Sequence, residues 1–263
     1  MRDAVHVGPE GPDLPGIPAL AASDISKSYG GVVAISGASI SVMPREIVAL
    51  VGDNGAGKST LVGCITGAVS PDSGKVMVGA TEVTASSPRM IRAAGVETVY
   101  QGLALPPDLS CAAGMFLGRE LKRSGVLGKL GFVDWPAMRR EAAENLKKLG
   151  IVVPKMSNPV SSLSGGQRQS VAITRALMWG SRVLVLDEPT AALGVVQTKA
   201  VLETIEASRQ TGVGILLVSH NLSDVLAVAD RIVVLRLGRV AANLDARATT
   251  ADEIVGFITG TRS

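Results

Sequence analysis

The chain has 263 residues, of which 46% are hydrophobic, 19% charged and only 3% aromatic. Its mean hydropathy of +0.33 leans toward membrane proteins. Yet apolar runs such as Ile47 to Val51 and Ile215 to Val218 are strand-length, far short of the roughly 18 residues that a span needs. With so few aromatics, Val, Ile, Leu and Ala must fill the core, which suits parallel strands buried on both faces. A net charge of +3 is too weak to argue for nucleic-acid binding by itself. Cys64 and Cys111 give neither a disulfide framework nor a metal-ligand spacing, so a reducing compartment is the default.

In chain order, Met1 to Pro18 is rich in glycine and proline and lacks the apolar core of a signal peptide, so it reads as a disordered tail. Ala19 to Tyr29 reads as a strand, and Ser39 to Met43 as an edge strand followed by a turn at Pro44 to Glu46. The fully apolar strand Ile47 to Val51 runs into a glycine-rich loop, then a helix from Lys58 to Thr66 stopped by Gly67. A turn at Pro71 to Gly74 precedes the strand Lys75 to Val78. Ser87-Pro88 opens a helix to about Ala94, and Val96 to Val99 is a further strand. Glycines and prolines then break up the pattern from Pro106 to Gly131. A helix follows with Asp134 as cap, Gly150 as stop, and Met138, Ala142, Leu146 and Leu149 on one face. Another runs from Gly166 to Trp179. Strands return at Val183 to Leu186 and Gly214 to Val218, with a helix from Val195 to Ser208 between them. Arg231 to Leu235 and Val240 to Asn243 flank a turn at Gly238, and Thr250 with Glu253 has capping-box spacing for a last helix. Alternating strands and helices argue for a parallel α/β sheet with a mostly helical insertion, and no internal repeat is visible.

Three stretches carry chemistry. Gly52-Asp53-Asn54-Gly55-Ala56-Gly57-Lys58-Ser59 matches the phosphate-binding P-loop, set between a strand and a helix. Its glycines let backbone N–H groups turn toward phosphate oxygens, and the helix N-terminus adds partial positive charge. Lys58 is placed to reach the β- and γ-phosphates and Ser59 to ligate Mg²⁺, with Thr60 beside them. The strand Val183 to Leu186 delivers Asp187 and Glu188 to a carboxyl end, where ligands bind in open α/β sheets. Asp187 fits a Mg²⁺-supporting acid and Glu188 a general base for an attacking water. Leu163-Ser164-Gly165-Gly166-Gln167 can present N–H groups and a hydroxyl to an anion at a helix start. In isolation it is better read as a plain N-cap.

With these elements in this order, the chain resembles the ATP-binding cassette (ABC) ATPases from about Ala19 to Gly260. In that family LSGGQ is the signature motif, acting on ATP held by the opposite subunit. The resemblance implies further roles. Tyr29 stands where an aromatic stacks on adenine, Gln101 matches the Q-loop glutamine that senses Mg²⁺ and water, and His220 matches the switch histidine that contacts the γ-phosphate. One element departs: after Glu188-Pro189-Thr190-Ala191-Ala192-Leu193 the family usually has Asp, and here Gly194 stands instead. Glu97-Thr98-Val99-Tyr100-Gln101 and Phe116-Leu117-Gly118-Arg119-Glu120 are similar to ATPases of ribose-, xylose- and fructose-type sugar importers. The single cassette resembles the single-domain branch.

The implied fold is α/β: the P-loop NTPase fold of an ABC ATPase, a mixed-sheet core with an antiparallel β edge and an inserted helical subdomain. Its expected division is a tail over 1–18 and an ATPase domain over 19–260. The domain has a RecA-like core with β subdomain at 19–101 and 179–260, and a helical subdomain bearing the signature at 102–178. The resemblance also implies ATP and Mg²⁺ as ligands and a homodimer with integral-membrane permease subunits. A periplasmic sugar-binding protein is an indirect partner, nucleic acid is not one, and the place is peripheral, on the cytoplasmic face of the cell membrane. ABC proteins of another transport class, or soluble ones acting on DNA or ribosomes, are the alternatives. The DNA type lacks its coiled-coil insertion here, and the ribosomal type its tandem arrangement.

Overall fold

The computed structural model describes residues 16–100, 102, 105–179 and 181–262. Most of the expected tail and Gln101 therefore lie outside the described residues. Contacts group the chain into two compact units, Met1–Thr98 with Gly180–Pro189 and Arg209–Ser263, and Val99–Trp179 with Thr190–Ser208. No helix among the described residues is long and apolar enough to cross a membrane.

The first unit opens with strands β1 (Leu20–Tyr29) and β2 (Val32–Val42), then β3 (Ile47–Val51), helix α1 (Lys58–Thr66), β4 (Ser73–Val78), β5 (Thr81–Glu82), α2 (Pro88–Ala93) and β6 (Val96–Val99). Tyr29 pairs with Val32 across Gly30-Gly31, a two-residue hairpin turn. So β2 starts well ahead of Ser39, where the sequence pattern puts it. Its first half escapes the alternation test because Val32 and Val33 face solvent and Gly37 adopts a positive φ of 64°. The antiparallel sheet runs β2-β1-β4-β5, with β2 as the expected edge.

The later elements of this unit are β7 (Val183–Asp187) and, after helix α7 (Val195–Gln210), strand β8 (Gly214–Val218), helix α8 (Leu222–Val228), β9 (Arg231–Arg236), β10 (Arg239–Asp245) and α9 (Ala251–Thr259). Between β6 and β7 the second unit contributes helices Cys111–Phe116, Gly125–Lys129, Trp135–Lys148 and Gly165–Leu177. The second sheet is ordered β10-β9-β3-β8-β7-β6. β9, β3, β8 and β7 pair in parallel, and β10 closes one edge antiparallel. Every residue of β3 and β8 is buried, as strands covered on both faces must be. Leu50, Val185, Leu216 and Val233 from these strands join Leu61 and Ile65 of α1 in one core. Cutting Leu50 to Ala there would cost about 2–5 kcal/mol, the range for a buried leucine.

The last helix confirms its capping box: Thr250 accepts from the Glu253 N–H and Glu253 from the Thr250 N–H. In the second unit, Asp134 caps the helix Trp135–Lys148 through the Ala137 N–H, and Met138, Ala142 and Leu146 are buried. Two helices escaped the periodicity reading. Cys111–Phe116 has six residues, started by the Ser110 hydroxyl, and Gly125–Lys129 has five. Both are shorter than the window in which a 3.6-residue period declares itself.

Candidate functional site

The parallel order β3-β8-β7 brings three strand ends to one edge of the sheet. β3 leads into Gly52, β8 into Ser219-His220, and β7 ends on Asp187. The P-loop turn is tightened by the Ala56 N–H donating to the Asp53 carbonyl at 3.1 Å. Gly57 caps α1 at φ 102°, and a Cβ there would lie 2.6 Å from both the Ala34 carbonyl oxygen and Ile35 Cδ1. Only glycine fits this point on both counts. Because Gly57 has no side chain, α1 starts without a side-chain cap, and its first-turn N–H groups suit an anion. The Lys58 ammonium arches back to donate to the carbonyls of Gly52 at 2.7 Å and Asp53 at 2.9 Å. Asn54 and Gly55 are exposed at the loop tip, Ser59 is exposed on the first turn, and Thr60 half-buried beside it.

Asp187 is half-buried at the end of β7. Burial pushes its carboxyl above the usual carboxylate range, the Glu188 charge adds to the rise, and Lys58 opposes it. Glu188 sits at φ 51°, in the left-handed region that a non-glycine residue adopts at a cost. Its N–H donates to the Val218 carbonyl at 2.9 Å, which ties the turn to β8. Its Oε1 lies 2.8 Å from His220 Nδ1, the ring being 69% exposed and the carboxylate 19%. The backbone around His220 is held by the next turn: the Asn221 N–H donates to the Ser219 hydroxyl, and Asn221 caps α8 through the Ser223 and Asp224 N–H groups. That helix lay unread in the sequence, although Asn before Leu222 is a start signal. A hard-oxygen set of Ser59 and Asp187 suits Mg²⁺; the expected third member, Gln101, lies outside the described residues.

Tyr29 ends β1 and is half-exposed, with Lys27 Nζ 5.7 Å from its ring centroid. Lys27 is in turn held by Asp72 at 2.7 Å. Sequence reading missed this pair, whose partners are 45 residues apart.

The second unit carries the signature turn. Ser164 and Gln167 form a reciprocal capping box on the helix Gly165–Leu177, so the plain N-cap reading is realised. Gln167 also donates to the Val152 carbonyl at 3.2 Å. A Cβ on Gly165 would lie 2.8 Å from Leu193 Cδ2, and one on Gly166 3.0 Å from Gln197 Cβ. Both glycines are thus needed for close packing as well as for open N–H groups. A cavity of about 470 Å³ lies behind the turn, lined by Ile151, Val152, Ser170 and Thr204 among others.

The family model described as ABC transporter matches residues 35–191. The chain is 45% identical over 247 residues to the fructose import ATP-binding protein of Rhizobium meliloti, covering 93% of this chain and 95% of that one. It is 41% identical over 244 residues to a ribose import ATP-binding protein of Rubrobacter xylanophilus, but covers only 46% of that longer chain. Among solved structures, the ADP conformation of an ATP-binding cassette of an ABC transporter superposes with a TM-score of 0.76 at 25% identity, covering 92% of this chain and 95% of that one. The chain is thus an ATP-binding ATPase and belongs to the ABC transporter family.

Proposed function

We propose that this chain is the ATP-hydrolysing motor subunit of a monosaccharide importer of the ribose, xylose or fructose kind. The observation that carries the sugar assignment is the end-to-end likeness to the fructose import protein, matched along nearly its whole length. In this reading two copies form a homodimer that works with integral-membrane permease subunits, and a periplasmic sugar-binding protein delivers the cargo. The motor is peripheral, on the cytoplasmic face of the membrane.

The chemistry follows from the residues. The P-loop N–H groups and the α1 N-terminus bind the ATP phosphates, Lys58 neutralises the β- and γ-oxygens, and Tyr29 offers its ring to adenine. Ser59, Asp187 and Gln101 would hold Mg²⁺, which when bound supplies charge neutralisation on the phosphate oxygens. Glu188 accepts a proton from the attacking water, and His220 fixes the carboxylate by hydrogen bonding to one of its oxygens. Ser164, Gly165, Gly166 and Gln167 of the second copy complete each site. ATP then makes contacts present only in the closed dimer, the differential affinity that a conformational shift requires. The segment around Gln101 to Glu120, which leads into the helical subdomain 102–178, would hold the groove that meets the permease.

The test is reconstitution in vesicles with the permease and its binding protein, measuring ATP hydrolysis against a panel of sugars. Stimulation by a monosaccharide supports the reading. Stimulation only by a non-sugar cargo would overturn it while leaving the ATPase intact.

A further inference from the structure

The second unit holds a surface feature that ATP hydrolysis does not use. Between Glu120 and Trp135 the chain makes a small hydrogen-bonded excursion around the helix Gly125–Lys129. Its base is closed by the bridge of Lys122 with Val133. The Arg123 N–H donates to the Phe132 carbonyl at 2.9 Å and the Phe132 N–H to the Leu127 carbonyl at 3.0 Å. These bonds hold the excursion in shape, yet its apolar side chains point outward. Val126 is 73% exposed, Leu130 68% and Phe132 55%. Val126 and Leu130 are one helical turn apart and share a face. Clustered exposure of large apolar groups is uncommon on a soluble surface and marks a contact.

Charge identifies the partner. Residues 121–133 hold three cations, Lys122, Arg123 and Lys129, and no carboxylate. Their net charge is +3. Lys122, Arg123 and Lys129 are exposed, and among the described residues none of the three pairs with a carboxylate. We infer that the excursion 121–133 is a membrane-surface contact, with Val126, Leu130 and Phe132 entering the headgroup region and Lys122, Arg123 and Lys129 facing anionic lipid phosphates. A mixed apolar and basic surface is what an anionic lipid interface recognises. The other occupants fit less well. Cytoplasmic loops of membrane proteins are themselves enriched in Lys and Arg, so a permease loop would meet like charge. A second copy docked through the same patch would set its +3 against +3.

This inference borrows from the proposed function only the presence of a membrane nearby; its first test uses neither permease nor sugar, and a second arm adds the permease to the vesicles. The full chain is mixed with phosphatidylglycerol-containing vesicles or with pure phosphatidylcholine vesicles, and sedimented at low and high salt. Binding to the anionic vesicles alone, weakened by salt, is expected. The triple neutralisation K122Q/R123Q/K129Q should lower the partition coefficient about 100-fold, from the usual worth of three basic residues at such a surface. The double variant L130S/F132S should lower it at least about tenfold, the equivalent of one large apolar side chain kept in water. Both sets lie on the surface, so nucleotide affinity and the far-ultraviolet spectrum should match the parent. Failure of the parent to sediment with anionic vesicles overturns the inference, as does parental sedimentation of both variants. Binding that appears only when permease is present also overturns it and assigns the patch to protein.

Discussion

Glu188→Gln isolates the proposed base from everything else at its position. The amide keeps the size of the side chain and leaves the left-handed backbone at φ 51° unchanged, so folding cost is held constant. The Glu188 N–H still donates to the Val218 carbonyl. What is lost is the proton acceptor and the charge that faces His220 Nδ1 at 2.8 Å. His220 takes Oε1 of the carboxylate, and among the described residues nothing takes Oε2, which is left to receive a proton from water. Removing a general base slows turnover by ~10²–10⁴-fold, equivalent to raising the barrier by about 3–5 kcal/mol. ATP affinity should survive, because the P-loop contacts are untouched. The substitution also removes the like charge that helps lift the Asp187 carboxyl, so that acid shifts back toward its ordinary range. Steady-state hydrolysis combined with a nucleotide titration checks both halves. Turnover within a few-fold of the parent would refute the base assignment, and loss of binding alongside turnover would show that Glu188 holds the loop instead.

Lys58→Ala should weaken ATP binding, since it removes the one cation of the loop; an unchanged titration curve would contradict the P-loop assignment. Gly194→Asp meets open space and a backbone that needs no positive φ, and the Gly194 carbonyl already accepts the Thr198 N–H in the first turn of α7. It should therefore fold, gain a few tenths of a kcal/mol as an N-cap, and change the Hill coefficient for ATP more than single-site affinity. An identical Hill coefficient would count against a coupling role. Asp72 is held below the ordinary carboxylate value of 3.8 by the Lys27 side chain and then the Ser28 N–H. A depressed acid contributes stability above its unfolded value that fades as pH falls through its folded one. Asp72→Asn should thus melt lower than the parent at pH 7, with the gap closing in strong acid. A gap that persists at low pH would assign the effect to packing. Cys111, buried and pushed up to about 11, should resist thiol-alkylating reagents until the protein unfolds; rapid labelling of the native chain would refute that.

The parts of the site that were legible in the sequence are those whose chemistry needs contiguous residues. A P-loop must be a strand, a glycine-rich turn and a helix in immediate succession, so Gly52 to Ser59 declares itself. Asp187, Glu188 and His220 were legible one by one as polar residues at the ends of apolar strands. Their meeting was not, because it depends on β7 pairing with β8, a register fixed by packing. The hairpin at Gly30-Gly31 had a local signal that alternation alone overlooked. The helix Cys111–Phe116 had only its Ser110 start signal. It is held by the Ser110 cap and by Phe116 meeting Trp179 edge-on at 5.5 Å, a contact between residues far apart in the chain.

The signature turn shows where a motif and its neighbours cannot be read separately. Its side chains are largely occupied within the unit: the Ser164 oxygen takes the Gln167 N–H, and the Gln167 amide serves the Ser164 N–H and the Val152 carbonyl. What remains for a phosphate is the Ser164 hydroxyl proton and the N–H groups of Gly165 and Gly166. Those N–H groups are aimed by the backbone, and the backbone is seated on Leu193 and Gln197 with no room for a Cβ. Gly194 lies between those two residues, and its N–H meets Gln197 Oε1 at 3.4 Å. A change at Gly194 that disturbs this contact with Gln197 is expected to alter the seat on which the signature's N–H groups rest, inside the second unit. This is the physical reason to look for the effect of Gly194→Asp in cooperativity: the residue borders the surface on which the signature rests.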